Sequence, residues 1–450
     1  MGRLFGTDGA RGIANTELTC ELAMDIGRAA AMVLVGSHSG HPKVLIGKDT
    51  RRSSDMLEDA LAAGLCSIGA NVVKLGVLPT PAVAYLVKKY QADAGVMISA
   101  SHNPCEFNGI KIFSADGYKL PDALEEQIEA IVLDHISEYP HPTGWAVGSV
   151  QYAKEACRDY IDYIRSTVPY PLDGMRIALD CANGSASRTA QTLFTELGAQ
   201  CHMLFDQPDG VNINDRCGST HMDALCQYVK ENGLDAGIAF DGDADRCLAV
   251  DEQGHIVDGD FVMAICAADL KSRGMLEKDT VVGTVMSNLG FIRFCEENGI
   301  HFVSTKVGDR YVLEKMRMEN YNFGGEQSGH VIFLDYGTTG DGQLTACQLL
   351  SILNRRRAKL SSLSTLMERF PQVLVNVKVT AEGKLRFYTD TEVRKETERV
   401  QKILGKSGRI LVRPSGTEPL LRVMVEGQDP AQIQQLAEQV ADVIRQQLAE

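Results

Sequence analysis

Apolar and polar positions along the chain repeat one order three times: a short apolar run, an amphipathic run, a glycine and a second apolar run. The first apolar runs begin at Val44, Ile177 and Val281, and each ends in polar residues typical of turns. Such runs, alternating with helical patterns, predict βαβ units whose helices bury a parallel or mixed sheet. The repeated glycines are 129 and 101 positions apart, too far for a solenoid, so the pattern predicts three similar α/β domains in tandem.

The C-terminal part of the chain follows a different pattern. Four valines between 373 and 379 alternate with polar residues, which is the period of a half-exposed strand. A charged helix is predicted over 392–404, strands over 409–412 and 421–425, and a last helix from Pro430. The predicted fold class is therefore α/β, with three tandem domains containing mixed sheets and a smaller C-terminal α+β domain.

Composition narrows the classes of function. The 450 residues carry a formal net charge of −14, whereas binding to nucleic acid or an anionic membrane needs clustered positive charge. No apolar run reaches the roughly 18 residues that span a bilayer, and the first residues lack the apolar segment of a signal peptide. The twelve cysteines form no C-x-x-C pair, so we expect reduced thiols in a cytoplasmic protein, with no disulfide framework or zinc site.

A segment with two serines, Ser99-Ala-Ser-His-Asn-Pro, directly follows a strand-like run. Ser, Asn and Pro commonly end strands, so an ordinary turn is one interpretation. The other is a hydroxyl at the carboxyl end of a strand, where open α/β sheets bind their ligands. A serine at that place can be a nucleophile or can carry a phosphoryl group. The segment lacks the G-x-S-x-G pattern of a hydrolase elbow.

Three carboxylates stand at alternate positions in Asp241-Gly-Asp-Ala-Asp-Arg, between two apolar runs. Asp-Gly between strand-like runs is also a hairpin signal. Three carboxylates in one tight loop repel one another unless a cation offsets their charge, and hard oxygen donors suit Mg²⁺ or Ca²⁺. The loop is not an EF-hand, because Arg246 stands where that loop requires glycine. The segment therefore predicts a metal site with coordination positions left for a substrate phosphate.

Two further segments combine glycine with polar or cationic residues. In Gly324-Gly-Glu-Gln-Ser-Gly-His, glycines let the backbone approach a ligand on which polar side chains converge, although glycine-rich turns are common. Arg413-Pro-Ser-Gly-Thr-Glu-Pro, with Arg422 further on, offers N–H groups, hydroxyls and guanidinium groups to a phosphate, although the same residues favour a turn. Phe5-Gly-Thr-Asp-Gly-Ala-Arg-Gly and Gly47-Lys-Asp-Thr-Arg-Arg could line an anionic cleft or be surface turns.

One chemically distinctive segment falls in each predicted domain. Four loops that share a cleft would bind a small phosphorylated ligand. A serine near a divalent metal favours phosphoryl transfer through a phosphoserine. Spacing alone does not name the rest of the ligand.

In these four segments, and in the same order along essentially the whole chain, the sequence resembles the α-D-phosphohexomutase superfamily. Val307-Gly-Asp-Arg-Tyr-Val, the start from Phe5 and Gln327 resemble the branch that acts on glucosamine phosphates. The branch that acts on mannose and glucose phosphates usually carries Met in place of Gln327. The resemblance implies a heart-shaped molecule around a central cleft. It also implies interconversion of glucosamine 6-phosphate and glucosamine 1-phosphate through a phosphoserine and a 1,6-bisphosphate, for UDP-N-acetylglucosamine and cell-wall synthesis.

The resemblance also implies roles for individual residues. Ser101 is expected to be the phosphoserine, with Lys111, Arg11 and His102 as further catalytic residues and Lys111 as the better general acid and base. The expected metal ligands are Ser101, Asp241, Asp243 and Asp245. The expected substrate-binding residues are Glu326, Ser328, His330 and Arg246. The residues expected to hold the phosphate that does not react are Arg413, Ser415, Gly416, Thr417 and Arg422.

The expected cofactors are one Mg²⁺ per subunit and glucosamine 1,6-bisphosphate as priming intermediate. The expected partner is a small sugar phosphate, with no nucleic acid and no membrane, and the resemblance favours a homodimer. We place the domains at 1–153 with the phosphoserine loop, 154–254 with the metal loop, 255–368 with the sugar loop and 369–450 with the phosphate loop.

Three alternatives stay open at this point. The nearest is a mutase of the same superfamily that acts on glucose or mannose phosphates. The second is a phosphatase-like hydrolase that uses the same metal loop. The third is a non-catalytic binder of sugar phosphates, although binding alone does not require the serine and three aspartates.

Overall fold

Strands and helices alternate through most of the chain, as the apolar pattern predicts. The structure is a computed structural model that describes residues 3–6, 8–35, 41–136, 138–415 and 419–449. The chain forms two units, one of residues 1–286 and 298–366 and the other of residues 287–297 and 367–450. Among the described residues, three sheets lie in the first unit and a fourth lies in the second.

The first sheet contains seven strands and is flanked by four helices. Its elements are β1 (Phe5–Gly6), β2 (Gly9–Ile13), α1 (Cys20–Val35), β3 (Lys43–Lys48), α2 (Arg52–Ser67), β4 (Asn71–Val77), α3 (Thr80–Lys89), β5 (Ala94–Ile98), β6 (Phe107–Ser114), α4 (Asp122–Asp134) and β7 (Val150–Tyr152). The strand order is β1-β2-β6-β5-β3-β4-β7, in which β5, β3, β4 and β7 are parallel. From β3 the chain continues to β4 on one side of β3, and then crosses to β5 on the other side. The topological switch point, where the direction of strand order reverses, therefore lies between β3 and β5.

The second sheet contains five strands. Its elements are α5 (Ala156–Thr167), β8 (Arg176–Asp180), α6 (Ala190–Glu196), β9 (Gln200–Leu204), α7 (Asp223–Asn232), β10 (Ala236–Phe240), β11 (Cys247–Asp251) and β12 (Ile256–Val257). The order is β12-β11-β10-β8-β9, with β10, β8 and β9 parallel and β11 antiparallel to β10. Phe240 pairs with Cys247, so the aspartate segment connects two antiparallel strands and its hairpin signal is confirmed.

The third sheet contains four strands. The elements of this part of the chain are α8 (Gly259–Ser272), β13 (Thr280–Thr284), α9 (Leu289–Glu297), β14 (His301–Thr305), α10 (Asp309–Glu319), β15 (Phe323–Gly325), β16 (Val331–Phe333), α11 (Gly342–Arg356) and α12 (Leu360–Leu363). The order is β14-β13-β15-β16, with β16 antiparallel to β15. Residues 326–330 form the connection between β15 and β16, while α9 belongs to the second unit.

The second unit contains an antiparallel sheet covered by helices. Its further elements are β17 (Gln372–Lys378), α13 (Ala381–Arg386), α14 (Thr391–Leu404), β18 (Gly408–Pro414), β19 (Leu420–Gly427) and α15 (Pro430–Leu448). The order is β17-β19-β18, and Val423, Val440 and Ile444 lie in the core between sheet and helices. The predicted class of three α/β domains and a smaller α+β domain is confirmed.

Two expectations from composition can be compared with the structure. None of the helices in the described part of the chain combines the length and the hydropathy that crossing a bilayer requires. The twelve cysteines all lie in this part, and each is a free thiol.

Candidate active site

Ser101 lies in the loop after β5, beside the switch point of the first sheet, and is 1% exposed. Its φ of 53° lies in the left-handed region, which costs a serine free energy unless its surroundings hold it there. The Arg51 guanidinium donates hydrogen bonds to the carbonyls of Ser101 and Asn103, at 3.2 and 2.5 Å. The Asn214 amide donates to the same two carbonyls, at 2.9 and 3.0 Å. The hydroxyl of Ser101 donates to Asp241 Oδ2 at 2.6 Å.

The carboxylates of Asp241, Asp243 and Asp245 are buried, with ligand atoms within 4.8 Å of one another. Burial raises the pKa of Asp241 well above its usual range, and the charges of Asp245 and Asp243 raise it further. Oδ1 of Asp243 and Oδ1 of Asp245 accept no hydrogen bond from the described residues. Clustered hard oxygen atoms, two of which accept no hydrogen bond from the described residues, fit a divalent cation, which would relieve the repulsion. The three aspartates thus form a candidate metal site.

Lys111 projects from β6 into this cluster and is 1% exposed. Its Nζ lies 2.7 Å from Asp243 Oδ2, 3.0 Å from Asp8 Oδ2 and 3.5 Å from Asp245 Oδ2. Burial alone would lower the pKa of Lys111, but Asp243, Asp8 and Asp245 together raise it well above its usual range. The Thr80 hydroxyl donates to Asp243 Oδ2 as well, at 2.6 Å. Lys111 is therefore a buried, charged ammonium group held by three carboxylates.

Two further predicted catalytic residues lie beside the serine. Arg11 on β2 forms an ion pair with Asp8, which also contacts Lys111. His102 Nδ1 lies 3.4 Å from Ser101 Oγ. Burial, followed by the charges of Arg246 and Arg11, lowers the pKa of His102 to about 4. The imidazole is therefore neutral at pH 7.

The predicted sugar loop lies in the connection between β15 and β16, in the same unit. Glu326 Oε1 accepts a hydrogen bond from the Gly308 N–H at 3.0 Å, and burial raises the pKa of Glu326. His330 Nδ1 lies 3.7 Å from Asp245 Oδ1, so this loop reaches the aspartate cluster. The Ser328 hydroxyl is buried and makes no hydrogen bond within the described residues. The loop thus offers a carboxylate and an unpartnered hydroxyl to a polar ligand.

Arg246 completes this cluster at the end of the aspartate segment. Its Nε lies 3.8 Å from Asp245 Oδ1 and 4.0 Å from Asp241 Oδ2. The structure thus brings together most of the residues predicted from the sequence, and it places them in one unit. They are Ser101, His102, Lys111, Arg11, Asp241, Asp243, Asp245, Arg246, Glu326, Ser328 and His330.

The predicted phosphate loop lies in the second unit. Arg413 on β18 pairs with Arg422 on β19, and directly opposed residues of antiparallel strands share one face. Burial lowers the pKa of Arg413, and the charge of Arg422 lowers it further. The Ser415 N–H donates to the carbonyl that begins β19, at 2.9 Å. Gly416 and Thr417 lie outside the described residues. Two adjacent guanidinium groups repel each other, and an anion would offset that repulsion.

Several residues of the site were not identified from the sequence. Asp8 and Arg51 stood in segments that had only a general cationic or glycine pattern. Thr80, Asn214 and Lys119 carry no local signal, because a helix start, a loop amide and an isolated lysine are common. Only their contacts show that they belong here.

Four segments match sequence profiles of one family. Residues 2–138, 158–254 and 258–371 match alpha/beta/alpha domains I, II and III of phosphoglucomutase/phosphomannomutase, and residues 374–443 match its C-terminal domain. The chain belongs to the phosphoglucomutase/phosphomannomutase family. The predicted four-domain organisation and the resemblance to the superfamily are confirmed.

Curated relatives named phosphoglucosamine mutase are similar to the chain over its full length. The one from Caldanaerobacter subterraneus subsp. tengcongensis is 56% identical over 449 residues, which cover 100% of both chains. The one from Clostridium beijerinckii is 53% identical over 445 residues, 99% of both chains.

Solved structures of the family have the same fold. A phosphoglucomutase/phosphomannomutase family protein from Burkholderia thailandensis has a TM-score of 0.83 at 25% identity and 99% coverage of both chains. The open form of the phosphoglucomutase parafusin from Paramecium has a TM-score of 0.77 at 16% identity, over 100% of this chain and 96% of that one. The second likeness concerns the fold alone.

Proposed function

We propose that this chain is a phosphoglucosamine mutase, which interconverts glucosamine 6-phosphate and glucosamine 1-phosphate for UDP-N-acetylglucosamine and cell-wall synthesis. One observation carries the chemistry: the buried Ser101 hydroxyl donates to Asp241 within a cluster of three carboxylates. The amino sugar is supported by the name of relatives that are 53% to 56% identical over the full length.

Ser101 is the residue that carries the phosphoryl group. Phosphoserine donates this group to the free hydroxyl of the sugar monophosphate, giving a 1,6-bisphosphate. The bisphosphate turns around and returns its other phosphate to Ser101. Because Ser101 is 1% exposed, water has little access to it, and hydrolysis of the phosphoserine is disfavoured.

Asp241, Asp243, Asp245 and the phosphorylated Ser101 would hold one Mg²⁺. When bound, this ion neutralises charge that would otherwise repel the incoming hydroxyl. Lys111 gives a proton to the serine oxygen as it leaves, and the proton released by the attacking sugar hydroxyl returns the amine to its ammonium form; the same groups act in the reverse direction. Arg11 lies beside it, and the neutral His102, 3.4 Å from the serine hydroxyl, is a further catalytic residue of the proposal.

The other predicted residues bind the substrate. Glu326 and Ser328 hold sugar hydroxyls in either orientation, and His330 and Arg246 are further substrate-binding residues. The residues that hold the phosphate that does not react are Arg413, Ser415, Gly416, Thr417 and Arg422. The proposal also includes priming by glucosamine 1,6-bisphosphate, a homodimer, a cytoplasmic location and the boundaries after residues 153, 254 and 368.

A second candidate is a mutase of the same family that acts on glucose or mannose phosphates. The match to profiles described as phosphoglucomutase/phosphomannomutase favours it. The residues of the phosphoryl transfer would be the same, so substrate preference alone separates the two candidates.

Phosphorus NMR tests the proposal on the purified protein with Mg²⁺, a trace of the matching 1,6-bisphosphate and each sugar 6-phosphate separately. We expect the fastest growth of glucosamine 1-phosphate and no growth in Ser101→Ala. Ser99→Ala is the matched control, because Ser99 is buried in the same loop, and its hydroxyl accepts hydrogen bonds from the Ser101 N–H at 3.0 Å and the Arg51 guanidinium at 3.4 Å without contacting the aspartates. This control should keep measurable turnover.

Other outcomes change the conclusion in different ways. Preference for glucose or mannose phosphate would keep the mechanism and favour the second candidate. Free phosphate as the main product would identify a hydrolase. Tight binding without turnover, even after priming, would identify a non-catalytic binder.

A further inference from the structure

Asp309, the first residue of α10, has no role in the mechanism above although the sequence pattern Val307-Gly-Asp-Arg marks its segment. Its carboxylate is mostly buried, with a side chain 15% exposed. Asp309 Oδ2 forms an ion pair with Lys119 and lies 3.5 Å from His330 Nε2. The same carboxylate thus contacts a lysine from the first sheet's domain and a histidine of the sugar loop.

Lys119 connects Asp309 to the acid–base group. Its side chain is 9% exposed, and its ammonium contacts Asp8 Oδ1 at 2.5 Å as well as Asp309. The other oxygen of Asp8 lies 3.0 Å from Lys111 Nζ. Negative and positive groups therefore alternate in one line, from Asp309 through Lys119 and Asp8 to Lys111.

The backbone around Lys119 is held independently of Asp309. The Thr338 hydroxyl donates to the Gly117 carbonyl at 2.5 Å. The Arg317 guanidinium lies 3.9 Å from the centre of the Tyr118 ring. Both contacts join the loop before Lys119 to the part of the chain that contains α10. Removing the Asp309 charge should therefore leave the loop in place and change mainly the position of the ammonium group.

We propose that Asp309 is a positioning residue for the phosphoryl transfer. It shares the Lys119 ammonium with Asp8 and so limits how strongly Lys119 competes with Lys111 for the Asp8 carboxylate. Without Asp309, the buried ammonium has one counter-charge in place of two and moves towards Asp8. Lys111 then loses part of one of its three carboxylate contacts. This inference rests on the proposed function, in which Lys111 is the general acid and base.

The competing explanation is that Asp309 only stabilises the contact between two domains. Arg310, the next residue, provides a matched control. Arg310 forms ion pairs with Asp122 and with Glu125, the latter at 2.8 Å, and donates to the Leu120 carbonyl at 3.0 Å. These contacts join the same two parts of the chain. They do not involve Lys111, the three aspartates of the metal loop or the sugar loop. Loss of Arg310 should weaken the junction and leave the site unchanged.

The experiment compares Asp309→Asn, Asp309→Glu, Lys119→Met, the double variant Asp309→Asn with Lys119→Met, and Arg310→Gln. For each we measure kcat and KM on the sugar phosphate that the wild type prefers, together with the thermal unfolding midpoint. Asp309→Asn should lower kcat by about 30- to 100-fold, the scale of a displacement of about 1 Å in a reacting group. KM should change by less than about threefold, because the substrate is not contacted. Asp309→Glu should recover most of kcat.

The double variant tests whether Asp309 acts through Lys119. If it does, the double variant should keep at least as much kcat as Asp309→Asn alone, because without the Lys119 ammonium no second amine competes with Lys111 for Asp8. Arg310→Gln should lower the unfolding midpoint while kcat stays within about twofold, since surface and junction contacts act on stability. This combination would support the inference.

Three results would overturn it. The first is an unchanged kcat in folded Asp309→Asn. The second is a loss of kcat in Arg310→Gln that is as large as the loss in Asp309→Asn. Such a loss would follow the loss of stability at the junction and would not be specific to Asp309. The third is independent losses that multiply in the double variant. A wild type that turns over no sugar phosphate would refute the proposed function instead. In that case a crystal structure of Asp309→Asn tests the inference. Lys119 and Lys111 ammonium groups that have not moved in it would contradict the inference.

Discussion

Gly242, between the first two aspartates of the metal loop, contacts the serine loop so closely that an added methyl group tests the proposed active site. A Cβ at this position would lie 2.5 Å from the Ser101 carbonyl oxygen, 2.8 Å from Ile213 Cδ1 and 2.9 Å from Asn214 Nδ2. The isoleucine tip can rotate away. The Ser101 carbonyl cannot, because Arg51 and Asn214 both donate hydrogen bonds to it. In Gly242→Ala the two loops must therefore separate.

The size of the separation follows from the distances. Ordinary contact of a Cβ begins at 3.4 Å, so the 2.5 Å approach must open by about 0.9 Å. The same shift would stretch the 2.6 Å hydrogen bond from Ser101 to Asp241 to about 3.5 Å, beyond hydrogen-bond length. A displacement of about 1 Å at a reacting group costs about 100-fold in rate, and overpacking costs about 1–3 kcal/mol of stability.

The assay measures initial rates of sugar 1-phosphate formation by phosphorus NMR, with the unfolding free energy from denaturant titration. Gly337→Ala is the matched control, because its Cβ would meet only the Thr339 carbonyl oxygen, at an ordinary 3.6 Å. We expect a loss of about 100-fold in Gly242→Ala and little change in Gly337→Ala. A folded Gly242→Ala protein with wild-type kcat would refute the idea that the contact between serine and aspartate loops sets the rate.

Three further predictions concern metal binding, a buried ion pair and pH. Asp243→Asn should weaken Mg²⁺ binding about tenfold or more in calorimetry, because one of three carboxylates is lost; equal affinity would place the metal elsewhere. Arg51→Met should lower the unfolding free energy by about 3–5 kcal/mol, because it leaves the buried Asp49 carboxylate without its cationic partner, and a loss below 1 kcal/mol would contradict this. Burial raises the pKa of Asp180 from 3.8 to about 7, so the folded state holds a proton that the unfolded state releases. This contribution to stability is present below about pH 4 and is lost at about 1.4 kcal/mol per pH unit up to about pH 7; Asp180→Asn should abolish that slope, and a slope shared by both proteins would contradict the assignment.

Strands and helices could be predicted where the burial of their side chains produces a pattern within one short segment of the sequence. The runs from Val44, Ile177 and Val281 became β3, β8 and β13, because strands covered on both faces must be continuously apolar. Alternation between 373 and 379 became β17, where one face of the sheet is covered by helices and the other is not. What the sequence pattern did not reveal was pairing, such as the place of β7 at the edge of the first sheet beside β4. Strand order depends on contacts between distant segments.

The candidate site shows the same limit. Asp241, Asp243 and Asp245 were identified because their chemistry is concentrated in one loop. Lys119 was missed because its partners are far away in the sequence: Asp8 is 111 positions away and Asp309 is 190. A single lysine acquires a function only through neighbours that the fold supplies.

The charges of the site suggest how an acidic chain handles a phosphorylated ligand. In a protein of net charge −14, the long-range field repels a phosphate. Within the first unit, Lys111, Lys119 and Arg11 are already matched by carboxylates, so they add little attraction at long range. The residues proposed to hold the phosphate include Arg413 and Arg422, which are directly opposed on β18 and β19; burial, followed by the charge of Arg422, lowers the pKa of Arg413. The matched cluster is instead suited to holding protons and the phosphoryl group at defined positions, because a set of paired charges has little freedom to rearrange. We therefore expect variants of the two guanidinium residues to change KM and variants of the paired cluster to change kcat.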